Sequence, residues 1–130
     1  MNWITHYMAW IMRVSGALTC TMLYAAIAPQ AALQAHFGDT LSGPVAELVV
    51  RNWGVLIFLM GVLLIIGASK LAVRATALCV AGASKVCFIS LVLAQGTAFL
   101  SHSAGLAVLL DSGFVLVYAA YLLGPQRHLR

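Results

Sequence analysis

Apolar residues in this chain do not alternate, nor do they keep to one face of a short period. They come in four long blocks, at 9–28, 46–67, 75–95 and 105–123, parted by short polar interruptions. A helix needs about 20 predominantly apolar residues to cross a bilayer, and each block meets that length. The pattern therefore predicts an all-α fold: an integral membrane four-helix bundle forming a single membrane domain over residues 1–130. Pro29 stops the first block, because proline lacks the N–H and clashes with the preceding turn. Residues 29–38, PQAALQAHFG, start with proline and end with glycine, as a short helix does. Too short to span, this segment is expected to lie in the interface between the first two spans or to tuck under the bundle.

Local signals refine the boundaries. Residues 1–8 form an amphipathic lead-in with Trp3 and Tyr7 as interfacial anchors. No positive stretch precedes the first block and Arg13 lies inside it, so a span is expected there and not a signal peptide. The second helix is expected to begin at Pro44. Gly54, Gly61 and Ala68 recur along it every seven residues, a stripe for close helix contact. Residues 68–74, with Lys70 and Arg74, read as a loop, and 96–103 as a polar turn. Ser/Gly/Ala patches sit in the first and third blocks, at 15–17 and 81–84.

Composition supports the same class. The 130 residues are 63% hydrophobic and 8% charged, with a mean hydropathy of +1.02. Soluble domains run at about 45–50% apolar and about 25% charged. The formal charge of +4 gathers at the ends of the blocks, so it bears on topology and not on nucleic acid. Lys70, Arg74, Arg127 and Arg130 fall on one side of a four-span chain, with Arg13 at the same end. Asp39, Glu47 and Arg51 fall on the other. The positive-inside rule then expects both termini in the cytoplasm.

The candidate chemistry is sparse. Lys85 stands in the middle of the third block, where a lysine costs about 2.5–3.5 kcal/mol on insertion scales, so it calls for a partner. Asp111 is the only acid in the interior of an apolar block, Glu47 standing at the very start of the second. Counted along their helices, the two differ in depth by about 5 Å in a core of about 30 Å, which a lysine stem covers. Ala77, Ala81 and Lys85 share a face that lets the fourth helix approach. Phe114 and Tyr118 share the Asp111 face, from which Tyr118 is placed to donate to a carboxylate. The pair reads either as a proton- or ligand-binding site or as a structural ion pair. Arg51 either joins it, making an outward-facing polar pocket, or snorkels to the headgroups paired with Glu47, four residues away.

Other chemistries find no residues. Cys20, Cys79 and Cys87 form no C-x-x-C and read as small buried hydrophobes. His6, His36, His102 and His128 lie at ends or connections, where they cannot ligate a haem within the spans. His36 and His102 alone are too few for a metal. There is no nucleophile–base–acid set and no phosphate-cradling glycine loop. Catalytic residues, metal and cofactor are therefore all read as none.

One resemblance covers roughly residues 10–123. The residues APQ at 28–30, HFG at 36–38, Pro44, RNWG at 51–54, the Gly61/Gly67 spacing, and Lys85 with Asp111 resemble the DoxX-like group of small bacterial four-helix membrane proteins, within it the BphX-like and related uncharacterised branches. The resemblance implies a bundle in the bacterial inner membrane. It also implies kinship with proteins of which some serve quinone-linked sulfur or thiol redox complexes, and others accompany aromatic degradation without an established activity. The expected function is a non-enzymatic accessory subunit or a binder of a small hydrophobic molecule. The alternatives are a proton-coupled transporter or channel using Lys85 and Asp111, and a quinone-linked redox subunit. Expected partners are the bilayer and either a membrane-complex subunit or a second copy.

Overall fold

The computed structural model describes residues 3–124. Its helices are α1 (Trp3–Cys20), continued through a 3-10 turn (Thr21–Leu23) into α2 (Tyr24–Ile27), then α3 (Pro29–Phe37), α4 (Pro44–Ser69), α5 (Leu71–Leu93) and α6 (Ser103–Leu123). No strand occurs among the described residues. Four stretches are long and apolar enough to cross a membrane: His6–Ile27, Pro44–Ser69, Leu71–Leu93 and Ser103–Leu123, of 22, 26, 23 and 21 residues. At 1.5 Å per residue even the shortest reaches about 32 Å, the thickness of the hydrocarbon core. The chain is thus an all-α, multi-pass membrane bundle.

The spans form a ring. α1 packs on α4, α4 on α5 and α5 on α6, the first of these seams being the most extensive, while α6 closes the ring through a lighter contact with α1. The α1–α4 seam is close because small residues line it. Gly54 lies against the backbone at Met22 and Ala26, and Gly61 against Gly16 and Cys20. Lipid offers helices no hydrophobic drive to associate, so such backbone approach supplies the packing. The outer surface carries large apolar side chains such as Leu109, Leu116 and Leu91, which are exposed in the isolated chain and suit a hydrocarbon surrounding.

Several boundaries differ from the sequence reading. The expected loop at 68–74 is a single extended residue, Lys70, with φ −117° and ψ 101°. α5 already starts at Leu71, so Arg74 belongs to its first turns. Buried there, Arg74 donates through Nε to the Gly67 carbonyl (3.0 Å) and through an η nitrogen to the Ala68 carbonyl (2.7 Å). Those carbonyls end α4 and have no partner within the helix, so the cation meets the negative end of its dipole. Residues 3–8 form the first turns of α1. Arg127, His128 and Arg130 lie outside the described residues.

α3 lies over one end of the bundle, with Pro29, Ala32 and Leu33 buried beneath it. It ends at Gly38 in the left-handed region (φ 71°), whose N–H bonds the Gln34 carbonyl at 2.9 Å. Any side chain at this position would also run into the His102 imidazole from the α5–α6 turn. The α3 end therefore carries an aromatic cover. Phe37 meets Phe99 edge-on at 5.1 Å between centroids, and Trp53 stands about 6 Å from both His36 (6.0 Å) and Phe37 (6.1 Å).

Candidate functional site

The two halves of the bundle are filled differently. Toward the α4–α5 turn, Met8, Met12, Leu64, Ala68, Ala77, Leu78, Tyr118 and Tyr121 form the buried core. Toward the α3 end the centre is hollow, with a cavity of about 250 Å³. Its walls are Met22, Ile57, Met60, Phe88 and Leu106, its upper end reaches His36, Trp53 and Ser103, and its floor includes Ser15, Leu64, Lys85 and Asp111. Leu18 of α1 and Thr21 of the 3-10 turn, with Leu106 and Leu110 of α6, both line the cavity and are exposed at the outer surface. The cavity thus opens sideways through the lightly packed α1–α6 seam, at a height that lies within the spans.

The floor is built by polar groups from α1, α5 and α6. Lys85 and Asp111 lie about 21 Å along α5 and about 12 Å along α6, which run in opposite directions, so they come level. Lys85 Nζ donates to Asp111 Oδ1 at 2.8 Å and to Thr19 Oγ1 at 3.3 Å. The Lys85 side chain is 8% exposed and that of Asp111 20%. Ala81 is buried one turn from Lys85 and keeps the backbones close enough for the contact. The ammonium also stands 5.7 Å from the Phe114 ring centroid, within cation–π range.

Thr19 cannot be the donor to an ammonium, and its own hydroxyl proton goes to the Ser15 carbonyl at 2.7 Å. Ser15 Oγ bonds the Met12 carbonyl at 3.4 Å and the Tyr118 hydroxyl at 2.5 Å. A carbonyl can only accept, so Ser15 donates to Met12 and Tyr118 donates to Ser15. Every buried side-chain polar atom of the described residues has a partner. Asp111 Oδ2 accepts no hydrogen bond from the described residues; with Asp111 lining the cavity, this oxygen is available to what enters there.

Of the four residues singled out from the sequence, Lys85 and Asp111 meet. Tyr118 does not serve Asp111. It stacks on Phe114 at 6.3 Å, and its hydroxyl reaches across to α1. Arg51 stays apart at the exposed start of α4. It donates to the Ala26 carbonyl near the end of α2 and stands 3.7 Å from Glu47. Carbonyl capping holds it there, so it adds no third charge to the floor. Sequence reasoning passed over Thr19 and did not assign Ser15 a role. Their signal is the stripe Met8, Met12, Ser15, Thr19, one face of α1 at helical spacing. The cysteines also depart from expectation. Cys79 and Cys87 are exposed on the outer face of α5, and only Cys20 turns inward, giving its S–H to the Phe58 carbonyl at 3.6 Å. Among the described residues, no group of three or more His, Cys, Asp or Glu is placed to hold a metal.

Comparison with known proteins adds no relative: no family model, no curated protein and no solved structure matches the chain. Fold and site together define a multi-pass membrane protein whose bundle is hollow in one half, with a charged pair at the bottom of the hollow.

Proposed function

We propose that this protein binds a small hydrophobic molecule inside the bundle and performs no chemistry on it. The observation that carries the reading is the cavity itself: an apolar chamber of about 250 Å³, open sideways between α1 and α6, with Lys85 and Asp111 at its floor. Apolar walls with a few convergent polar groups are the usual make-up of a small-molecule site. An apolar cavity of about 150 Å³ holds benzene, so this one takes a molecule of roughly ten heavy atoms. A conduit across the membrane has less support, because the filled layer of Met12, Leu64 and Tyr118 closes the path below the floor. We further propose membership of the DoxX-like group and placement in a bacterial inner membrane with both termini cytoplasmic. The cavity then lies in the outer-leaflet half, and binding serves a partner subunit or a second copy of the chain.

Trp53 lines the cavity, whereas Trp3 and Trp10 are 62% and 65% exposed on the outer surface. Bromocyclohexane added to the purified protein in detergent should therefore quench part of the tryptophan emission saturably. The saturable part should vanish in Trp53→Phe and in a cavity-filling Ala107→Phe variant. Quenching that rises without saturation and persists in both variants would place the probe in the micelle and overturn the reading.

A further inference from the structure

The cavity floor limits what kind of molecule can rest on it. Lys85 and Asp111 are 2.8 Å apart and sum to zero charge. A charged ligand would bring an uncompensated charge into a low-dielectric chamber, which is costly unless it is paired. Two of the three ammonium donors are already spent inside the protein, on Asp111 Oδ1 and Thr19 Oγ1. The carboxylate is less fully used, for Oδ2 accepts from none of the described residues. A hydrocarbon pressed against this oxygen would leave it dry and unpaired, whereas a hydroxyl group would donate to it.

Access narrows the class in the same direction. Leu18 and Thr21 on one side and Leu106 and Leu110 on the other edge the opening, and all four are exposed on the outer surface within the length of the spans. Whatever passes there is already dissolved in the bilayer, which favours uncharged molecules.

We propose that the cavity selects an uncharged, hydroxyl-bearing apolar molecule taken from the bilayer, its hydroxyl donating to Asp111 Oδ2. This rests on the binding reading above and sharpens it. The walls hold the apolar body, and the ion pair acts as a fixed dipole that recognises one polar hydrogen. Lys85 orients Asp111 through the 2.8 Å contact to Oδ1, and the Thr19 hydroxyl, committed to the Ser15 carbonyl, holds Lys85.

The test is competition against bromocyclohexane quenching of Trp53, with concentrations referred to the micelle phase. The competitors are methylcyclohexane, cyclohexanol, cyclohexylamine and cyclohexanecarboxylate at neutral pH. Cyclohexanol should bind about ten- to a hundredfold more tightly than methylcyclohexane, the cost of leaving a buried acceptor unpaired. In the double variant Lys85→Met/Asp111→Leu that preference should disappear while methylcyclohexane still binds. Equal affinity of alcohol and hydrocarbon in the wild-type protein would overturn the proposal and leave the cavity reading standing. Tighter binding of the amine or the carboxylate than of the alcohol would overturn the charge argument. Failure of every competitor to displace the probe would instead count against the cavity reading itself. The wild-type series is decisive even where the double variant fails to fold.

Discussion

Gly16 of α1 and Gly61 of α4 meet backbone to backbone: a methyl group built on Gly61 would stand 2.6 Å from the Gly16 carbonyl oxygen, and one built on Gly16 would stand 2.8 Å from the Gly61 carbonyl oxygen. Neither obstacle is the end of a flexible side chain, so neither can swing away. Gly61→Leu should therefore lower stability by about 1–3 kcal/mol through overpacking. Gly113, with open space around it, accepts a side chain without steric conflict, so Gly113→Ala should leave stability near wild type. Unfolding by SDS titration in mixed micelles checks both. Equal stability of Gly61→Leu and wild type would mean that α1 and α4 are not packed at this point.

The small-residue stripe was readable because 54, 61 and 68 repeat at a helical period within one uninterrupted apolar block. Its counterpart on α1 was harder to see. Gly16 and Cys20 are followed by a 3-10 turn at Thr21–Leu23, which shifts the register before Ala25 and Ala26 meet Gly54. Lys85 and Asp111 stood out as lone charges deep in apolar blocks, and counting 1.5 Å per residue brings them level. The partner of Tyr118 was not legible. One face of α6 offers its hydroxyl both to a carboxylate two turns away and to α1, and only the rotation of α6 against α1 decides between them. The cavity was not legible either, because its walls have the same composition as a filled core.

Arg74 was misplaced for a related reason. Beside Lys70 it reads as part of a charged loop, yet its guanidinium folds back on the end of α4. Removing it in Arg74→Met should cost about 2–4 kcal/mol, since two hydrogen bonds from a charged donor are lost and two helix-end carbonyls are stranded. Arg74→Lys should recover only part of this, because an ammonium lacks the planar fork that serves both carbonyls at once. The same SDS titration reads the order wild type, then lysine, then methionine. Methionine matching wild type would show that the carbonyls are served otherwise.

Orientation gives a third prediction. Lys70 and Arg74 sit at the α4–α5 turn, and Arg13, over the Trp10 ring at 5.8 Å, lies toward the same end. By the positive-inside rule that end is expected to face the cytoplasm. A phosphatase or fluorescent reporter fused after Leu123 should behave as cytoplasmic, and one inserted at 39–43 as external. The reverse pattern would move the cavity to the cytoplasmic half.

The ion pair gives the most demanding prediction. With Asp111 gone, Lys85 keeps only Thr19 as a hydrogen-bond partner and is the more deeply buried of the two, at 8% against 20% side-chain exposure. With Lys85 gone, Asp111 still borders the cavity, where water or a ligand hydroxyl can solvate it. Breaking a buried pair costs about 3–5 kcal/mol. Asp111→Leu should fall at the upper end of that range and Lys85→Met at the lower end. The double variant leaves no lone charge and should be more stable than either single variant. Coupling of that sign, measured by the SDS titration, is the signature of residues in contact. Stability and ligand binding then part company. If the pair only holds α5 against α6, the double variant should keep the preference for cyclohexanol over methylcyclohexane. If the pair reads the ligand, the double variant should regain stability and lose that preference. Strictly additive losses in the cycle would mean that Lys85 and Asp111 do not act as a pair in the membrane, and the floor of the cavity would have to be held by Thr19 and Ser15 alone.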